Sequence, residues 1–416
     1  MDDQLDVMTK VLPAIVLEGA KGVGKTATAR QRAQTVFSLD DEGTESIVLG
    51  NPRAVMRGKG TILIDEWHLV PSVWNVVRHA VDDGAEPGRF LLAGSAMPRP
   101  QARIHSGAGR IVRLMMRPWS LPERGIEQPT VSLGALLAGD APEVEGSTDL
   151  ALDDYVDEIL CSGFPGIRQA AAEARPYLLE SYVDRIVDHD VEAFGAKVLR
   201  PESLRGWLSA YGAATGTAAS YAAILRAATP GQDVKPSAPT AMAYRDLLQR
   251  LWVLDPLPAW SPGSAPLTRL GRAPKHHLVD PSLAALLAGA THESLVRGNG
   301  PGGVGRDGTF LGGLFESLAA QTVRVLAQGL RATVSHFRLR GGEHEVDIIV
   351  ERPDRKVVAI EVKLSATVRP ADVAHLAWLA ERAPGWVVDR VVLNTGARAY
   401  RRPDGIAVVP LGLLGA

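Results

Sequence analysis

The sequence has almost no cysteine, few aromatic residues and no long apolar run. Its single cysteine, Cys161, excludes a disulfide framework and a multi-cysteine zinc site. Aromatic residues make up 5% of the chain, so the hydrophobic cores must rely on Ala, Leu and Val. No run of about 18 apolar residues is present, and the N-terminus MDDQLDVMTK is acidic. We therefore expect a soluble, cytoplasmic protein with no signal peptide and no membrane partner.

The chain also has little net charge. The formal net charge of the 416 residues is −2, although 22% of them are charged and 46% are hydrophobic. This globular composition excludes a polycation, so any nucleic-acid binding would need local basic patches. A chain of this length predicts two or three domains.

The first third of the chain alternates between apolar runs and segments with helical spacing. We predict helices in KTATARQRAQTV (25–36) and PSVWNVVRHAVDDG (71–84). The predicted strands are VLPAIVLE (11–18), SIVLG (46–50), TILIDE (61–66) and RFLLAGSA (89–96). Strands that alternate with helices predict an α/β domain with a doubly wound parallel sheet, which we place at residues 1–135.

The rest of the chain changes character twice. Small and turn-forming residues at 128–149 predict a linker or loop, and residues 150–290 predict a helical region. An extended hairpin after these helices would complete a winged helix-turn-helix, but a plain helical connector fits equally well. The glycine-rich stretch RGNGPGGVGRDG (297–308) predicts a flexible boundary. Residues 309–416 then predict a compact α/β domain with the element order αβββαβ.

The stretch GAKGVGKT, Gly19 to Thr26, matches the phosphate-binding pattern G-x-x-x-x-G-K-T in full. Its glycines let backbone N–H groups converge on phosphates, and the following helix N-terminus adds partial positive charge. Lys25 would reach the β- and γ-phosphates of ATP, and the Thr26 hydroxyl would bind Mg²⁺. The predicted nucleotide-binding residues of the loop are Gly19, Ala20, Lys21, Gly22, Val23, Gly24, Lys25, Thr26 and Ala27.

The run TILIDE ends in two acids where its strand should reach the phosphate loop. Asp65 is predicted to hold the Mg²⁺, directly or through water, and Glu66 to polarise the attacking water. Ser95 ends the next strand, where it would either sense the γ-phosphate or cap a helix. Arg110 and Arg113 would be arginine fingers for a neighbouring subunit of a homo-oligomer, unless they are ordinary surface arginines.

The stretch EVDIIVERPDRKVVAIEVKLS (345–365) predicts a hairpin that turns near Asp354. That register sets Asp347 opposite Glu361, with Cβ atoms about 4.5–5.5 Å apart. Strand residues two apart face the same side, so Lys363 lies beside Glu361. Two facing carboxylates repel each other unless a proton or a cation lies between them. The alternative is an exposed Glu361–Lys363 ion pair that contributes little to stability.

This D…E-x-K arrangement resembles the PD-(D/E)XK nucleases. The resemblance implies a restriction-endonuclease-like fold with a second Mg²⁺ or a Mn²⁺. Lys363 would orient the hydrolytic water, and Arg338 and Arg340 would contact a DNA or RNA backbone. The implied metal ligands are Glu316, Asp347 and Glu361.

The whole chain resembles the AAA-type ATPases of bacteria and archaea that carry a C-terminal domain of unknown function with a restriction-endonuclease-like fold. The matching pieces occur in the family's order and include GAKGVGKT, ILIDEWH, AGSA, AGRIVRLMMRPWSLPE, SGFPG, YVDRIVDHDV, HHLVDPSL, GGLFESL and GGEHEVDIIV with AIEVKLS. One departure is DEWH, because the family usually has DEIQ there. His68 therefore takes the polar position after the two acids.

Two functions stay open on these residues. In the first, a Mg²⁺-dependent ATPase is coupled to a nuclease-like domain that acts on or binds nucleic acid. In the second, a nucleotide-dependent switch uses a catalytically inactive C-terminal domain to bind a protein partner. A small-molecule kinase is disfavoured, because Glu66 stands in the water-polarising position. The catalytic residues of the first function would be Lys25, Glu66, Asp347, Glu361 and Lys363.

Overall fold

The computed structural model describes residues 2–95, 107–190, 201–228, 237–261, 273–297, 309–339 and 342–416. These residues divide into two compact units. The first consists mainly of the chain up to Arg117 and includes Asp246–Val253, and the second consists mainly of the chain from Pro118 onward. The three-domain division into 1–135, 150–290 and 309–416 stays a prediction.

A parallel sheet forms the centre of the first unit. Its strands are β1 Ala14–Glu18, β2 Thr35–Ser38, β3 Ile62–Asp65, β4 Phe90–Gly94 and β5 Val112–Met115. They lie in the order β2-β3-β4-β1-β5, and β1, β3 and β4 are buried along their whole length. The helices of this unit include α1 Asp2–Thr9, α2 Lys25–Arg30, α3 Glu42–Gly50 and α4 Ser72–Asp82. The predicted parallel α/β architecture is thus confirmed.

Two predicted elements of this unit are wrong. The run SIVLG is not a strand but the end of α3, which begins after Asp41, where the Asp41 side chain accepts a hydrogen bond from Thr44 N. A short apolar run cannot distinguish helix from strand by periodicity, and here the N-cap decides. The helix predicted for 25–36 ends at Arg30, and the β-branched and aromatic residues from Thr35 form β2 beside β3 instead.

The middle of the chain is helical, as predicted. Its helices are α5 Leu133–Ala138, α6 Leu152–Leu160, α7 Pro165–Arg168, α8 Arg175–Arg185, α9 Pro201–Ala213, α10 Tyr221–Ala227, α11 Ala238–Arg250, α12 Pro281–Leu287 and α13 His292–Arg297. Two extended segments follow α11 and pair antiparallel, with bridges Leu254–Leu278 and Leu257–Lys275. The winged-helix alternative needs such a pair, and it stays a prediction.

A second sheet dominates the end of the chain. Its strands are β7 Gly146–Ser147, β8 Thr333–Arg338, β9 Glu345–Glu351, β10 Val357–Val362, β11 Val387–Asn394, β12 Arg398–Arg401 and β13 Ala407–Pro410. They lie in the order β7-β12-β13-β11-β10-β9-β8, with β10, β11 and β13 mutually parallel and the other pairs antiparallel. The helices that contact this sheet include α5, α14 Thr309–Gly329 and α15 Ala374–Arg382, and β6 Val131–Ser132 pairs with β14 Leu414–Gly415.

The segment predicted as a linker or loop instead contains two short strands and a helix and is part of the second unit. Ser132 caps α5 by accepting a hydrogen bond from Ala135 N, and the leucines of this short helix are buried. Strand β7 then extends the second sheet beside β12. The predicted order αβββαβ is also incomplete, because β12 and β13 continue the sheet. No helix among the described residues is long and apolar enough to cross a membrane.

Candidate functional site

The phosphate loop joins β1 to α2 at the carboxyl edge of the first sheet. Gly22 and Gly24 have φ values of 77° and 99°, which a residue with a side chain rarely adopts. Gly19 is required for space as well, since a Cβ there would lie 2.1 Å from the backbone oxygen of Met116. The loop therefore needs glycine at these positions, as the phosphate-binding pattern implies. Within it Ala20 and Val23 are buried, whereas Lys21 and Ala27 are exposed.

Lys25 is buried beneath this loop. Its Nζ donates hydrogen bonds to Gly19 O at 2.9 Å and to Ala20 O at 2.7 Å. Burial lowers the pKa of Lys25 to about 8, although the nearby Glu66 and Asp65 oppose that shift. The ammonium thus has neutral carbonyls as partners, and an anionic phosphate oxygen would be a stronger acceptor.

Two oxygen donors from different elements meet beside the loop. Thr26 Oγ1 donates to Asp65 Oδ1 at 2.9 Å, which joins the start of α2 to the end of β3. Burial raises the pKa of Asp65, while the hydrogen bond from Thr26 opposes that rise. A hydroxyl and a carboxylate are ligands that Mg²⁺ prefers, so these residues fit the ion that accompanies ATP. Thr26 and Asp65 would hold it there, and the ion would supply charge neutralisation for the phosphates.

Glu66 lies at the point where three polar groups converge. Ser95 Oγ lies 3.2 Å from Glu66 Oε2 and Ser95 N lies 3.4 Å from it, and His68 Nδ1 is 3.2 Å from the same oxygen. Burial, with Lys21 and Lys25 nearby, lowers the pKa of His68 to about 4, so its ring is neutral at pH 7. Glu66 itself has φ 50°, in the left-handed region that residues with a side chain seldom adopt. His68, which stands where the family resembled above usually has another polar residue, thus lies next to Glu66, the predicted catalytic acid.

The two candidate arginine fingers have partners within the first unit. Arg110 Nε lies 2.7 Å from Asp82 Oδ1, and Arg113 Nε lies 3.6 Å from Glu18 Oε1. Their side chains remain 45% and 56% exposed. A contact to nucleotide in a neighbouring subunit stays a prediction.

The C-terminal candidate site is a cluster of carboxyl groups on the second unit. Pairing of β9 with β10 aligns Ile348 with Ile360, and continuing that register by one residue sets Asp347 opposite Glu361, as predicted. Glu345 on β9 and Glu316 on α14 complete what we call the acid cluster, which consists of Glu316, Glu345, Asp347 and Glu361.

Lys275 occupies the centre of the acid cluster, which the sequence did not predict. Its Nζ lies 2.7 Å from Asp347 Oδ1 and 2.9 Å from both Glu316 Oε1 and Glu345 Oε1. Only 1% of its side chain is exposed. The sequence signal is weak: a lysine directly before HHLVDPSL, with no spacing that relates it to the acids.

The acids of the cluster differ in charge. Burial raises the pKa of Glu316 to about 8, and burial and Asp347 together raise the pKa of Glu361 well above its usual value. Burial also acts to raise the pKa of Asp347, but Lys275 and Lys363 outweigh it and hold that pKa below its ordinary range. The short contact of Lys275 with Glu316 suggests an ion pair, whereas the raised pKa places a proton on Glu316 at pH 7. We assign the negative charge to Asp347, since its contact with Lys275 is shorter.

Of the remaining predicted residues, Lys363 and Arg338 contact acids of the cluster. Lys363 Nζ lies 2.8 Å from Glu361 Oε2, and because Glu361 is 2% exposed this is not the exposed ion pair of the alternative. Asp347 Oδ2 accepts a hydrogen bond from Val362 N at 2.9 Å. Arg338 Nε lies 3.5 Å from Glu345 Oε2, and Arg340 lies outside the described residues.

The arrangement does not fit a divalent ion at this place. Glu316 and Asp347, two of the three predicted ligands, are bonded to the Lys275 ammonium, and the third, Glu361, is bonded to Lys363. In the part of the chain that the structure describes, no group of three or more His, Cys, Asp or Glu side chains is placed to hold a metal ion.

Three family models match successive parts of the chain. Residues 12–124 match an AAA domain, residues 152–294 match a domain of unknown function (DUF8612), and residues 311–414 match another domain of unknown function (DUF4143). Uncharacterized proteins of Mycobacterium tuberculosis and Mycobacterium bovis are each 33% identical over 90 residues. That match covers 21% of this chain and 20% of each relative.

A solved structure, a Walker-type ATPase of Pyrococcus abyssi, aligns with 69% of this chain and 94% of its own, at 13% identity and a TM-score of 0.36. A score this low supports no further statement. The AAA-domain match agrees with the parallel sheet and the phosphate loop on the same residues. Residues 12–124 are therefore similar to an AAA domain and have the parallel sheet and phosphate loop of a P-loop ATPase fold.

Proposed function

We propose that this protein is a Mg²⁺-dependent ATPase that uses ATP binding and hydrolysis as a conformational switch. The observation that carries the proposal is the meeting of Lys25, Thr26, Asp65 and Glu66 at the carboxyl edge of one parallel sheet. Ligands of open α/β sheets bind at that edge, and each residue type matches a step of phosphoryl transfer.

Each side chain has a distinct task in this mechanism. Lys25 binds the β- and γ-phosphates and stabilises the charge that develops on them. Glu66 orients the attacking water and accepts its proton, while the Ser95 hydroxyl donates a hydrogen bond that holds the Glu66 carboxylate in place. His68 stays neutral at pH 7, so it adds no positive charge that would weaken Glu66 as a base.

The Glu66→Gln variant tests this assignment. An amide of the same shape keeps the loop and its phosphate contacts but cannot accept a proton. We expect ATP turnover to fall by about 10²–10⁴-fold with nucleotide affinity retained. Phosphate release and equilibrium nucleotide binding are measured side by side, with exposed Glu42→Gln as the matched control. Turnover that survives in Glu66→Gln would place the catalytic base elsewhere.

For the second unit, the contacts of Lys275 support a catalytically inactive domain rather than the nuclease. A nuclease of the D…E-x-K type needs a divalent ion between Asp347 and Glu361, and Lys275 is bonded to Asp347 instead. The layout of Asp347, Glu361 and Lys363 still supports the nuclease hypothesis. Cleavage assays with DNA and RNA in Mg²⁺ or Mn²⁺ decide between them. Cutting that Asp347→Ala abolishes would establish the nuclease, with DNA or RNA as the partner.

A further inference from the structure

The helical part of the second unit contains a cavity of about 460 Å³ that shares no lining residue with the phosphate loop or the acid cluster. Its walls come from the end of α6, the start of α8, α12 and the turn that follows α12, and they include Leu160, Leu179 and Leu286. Binding sites for small molecules have this size, and they combine apolar walls with a few polar groups. We propose that the cavity binds a small organic carboxylate with an apolar body, and that Arg175 and Ser282 hold its carboxylate group.

Arg175 lines the cavity, and in the described part of the chain it has no carboxylate partner. Its Nη1 donates a hydrogen bond to Cys161 Sγ at 3.0 Å, and its Nη2 donates to Arg168 O at 3.1 Å. Its Nε is buried and has no hydrogen-bond partner among the described atoms. Arg168, by contrast, donates to both carboxylate oxygens of Glu158 at 2.9 Å. Because a guanidinium binds carboxylates strongly, often with two hydrogen bonds, Arg175 suits an anionic ligand.

Ser282 supplies a second unsatisfied donor to the lining of the cavity. The residue is 1% exposed, and its Oγ has no hydrogen-bond partner among the described atoms. A buried hydroxyl that is left unpaired costs stability, so a ligand that satisfies it is one physical reason for its presence. An oxygen acceptor bound in the cavity would take this hydrogen bond. The unpaired donors of Ser282 and Arg175 come from two different helices, and a carboxylate group matches both.

Protein contacts fix these two residues in place without a ligand. Asp280 Oδ1 accepts a hydrogen bond from Ser282 N at 3.0 Å, and Asp280 Oδ2 accepts one from Gly163 N at 2.8 Å. The start of α12 is thereby joined to the loop after α6. The two hydrogen bonds of Arg175 in turn join the start of α8 to α7 and to the residue that follows α6. A pre-formed site loses little conformational freedom on binding, which favours a small ligand.

Two acids, Asp157 and Glu180, also line the cavity and would attract a cation. The Asp157 side chain is 64% exposed, with its Oδ1 3.5 Å from His292 Nε2, and Glu180 is exposed as well. Water and salt screen exposed charges, so these two acids contribute little to binding. The Arg175 Nε is buried instead, where an interaction with a charged group is stronger. Charge therefore favours an anionic head group over a cationic one.

Octanoate is the probe, because it carries one carboxylate on an apolar chain. Isothermal titration calorimetry of the full-length protein should show one octanoate site per chain. Octanol and octylamine, which have the same chain without the carboxylate, should bind at least about tenfold more weakly. Arg175→Met should weaken octanoate binding by about tenfold or more, since it removes the charge. Exposed Arg185→Met on the same helix is the matched control and should leave the affinity unchanged.

Ser282→Ala separates a ligand-binding role of the hydroxyl from a structural one. Its octanoate affinity should fall about threefold or more. Its thermal midpoint without octanoate should stay level or rise, because the hydroxyl has no described partner to lose. A lower midpoint with unchanged octanoate affinity would assign the hydroxyl to the fold and contradict the proposal.

The proposal is wrong if folded protein shows no saturable octanoate binding up to about 10 mM. It is also wrong if octylamine binds as tightly as octanoate, or if folded Arg175→Met binds octanoate as the unaltered protein does. If Arg175→Met does not fold, Ser282→Ala decides, and undiminished octanoate affinity in that variant contradicts the proposal. None of these measurements depends on ATP turnover in the first unit.

Discussion

The phosphate loop and the acid cluster each bury one lysine beside acidic side chains, yet they use it differently. Lys25 bonds the neutral carbonyls of Gly19 and Ala20, and Thr26 rather than Lys25 bonds Asp65. Lys275 bonds three carboxyl groups directly. The Lys25 ammonium thus donates to neutral carbonyls, which suits the phosphate-binding role that we propose for it, whereas the Lys275 ammonium is paired with carboxyl groups of the protein.

The pKa values of the two lysines express the same contrast. Burial acts to lower both. For Lys25 burial outweighs the acids and the pKa falls to about 8, whereas for Lys275 the attraction of Asp347, Glu316 and Glu345 outweighs burial and the pKa rises well above its usual value. A buried lysine with a lowered pKa is short of negative partners, which is typical of a ligand site. One with a raised pKa is already satisfied.

Replacing each lysine with methionine should give the largest difference, which we expect in the free energy of unfolding. Lys275→Met removes the ammonium that contacts Glu316, Glu345 and Asp347 and leaves the Asp347 charge with only Lys363 of the two lysines that offset its burial, so we expect a loss of about 3–5 kcal/mol in the free energy of unfolding. Lys25→Met removes only bonds to carbonyls and a desolvated charge, so its change should stay within about 1 kcal/mol. Urea unfolding followed by tryptophan fluorescence measures both.

The ATP turnover of the two methionine variants should differ in the opposite sense, with the larger loss in Lys25→Met. ATP turnover should fall about 10²–10³-fold in Lys25→Met, with exposed Lys10→Ala as a control that keeps turnover. If Lys25→Met proved less stable than Lys275→Met, that result would contradict the proposed difference between the two lysines.

The glycines of α14 give a smaller effect that tests the packing over the acid cluster. A Cβ on Gly313 would lie 2.4 Å from the backbone oxygen of Thr215, so Gly313→Ala must displace backbone at a cost of about 1–3 kcal/mol. Gly312 is the matched control, because a Cβ there meets only Leu364 Cδ1 at 3.8 Å. Gly312→Ala should gain about 0.5–1 kcal/mol from helix propensity. Equal unfolding energies for the two variants would show that the contact with Thr215 is not tight.

The sequence predicted the phosphate loop well because that loop is local. Strand, glycines, Lys25 and helix follow one another within a few residues, and the spacing alone defines the geometry. The hairpin register of Asp347 and Glu361 was also predictable, because a turn fixes it. The strand predicted for SIVLG was wrong, because so short an apolar run suits a turn of helix and a strand equally.

Lys275 could not be predicted, because its partners are distant in sequence. It meets Glu316 and Asp347 across separations of 41 and 72 residues. No periodicity encodes such a contact, which arises only when the segment pairs with Leu257 and with the turn at Gly216. The metal site was therefore expected from the acids alone, without the cation that the fold brings to them.

The pH dependence of ATP binding should give the smallest effect, and it tests whether the pKa of Lys25 is lowered. With a pKa of about 8, Lys25 is charged below that pH and loses its proton above it. Phosphate binding favours the ammonium, so the pKa of Lys25 rises in the complex and binding takes up a proton above pH 8. ATP affinity should therefore be level from pH 7 to near 8 and then fall by up to about tenfold for each further pH unit. Equilibrium binding of a fluorescent ATP analogue, measured without Mg²⁺, follows this directly.

Lys25→Arg separates this titration from any other group in the loop, because a guanidinium stays charged throughout the range. Its ATP affinity should be level where that of the unaltered protein declines. A parallel decline in both proteins would assign the titration to another residue. A level profile in both would mean that Lys25 keeps its proton despite burial, and its acids would then dominate as they do around Lys275. The difference between Lys25 and Lys275 would then rest only on their contacts, which are carbonyl groups for Lys25 and carboxyl groups for Lys275.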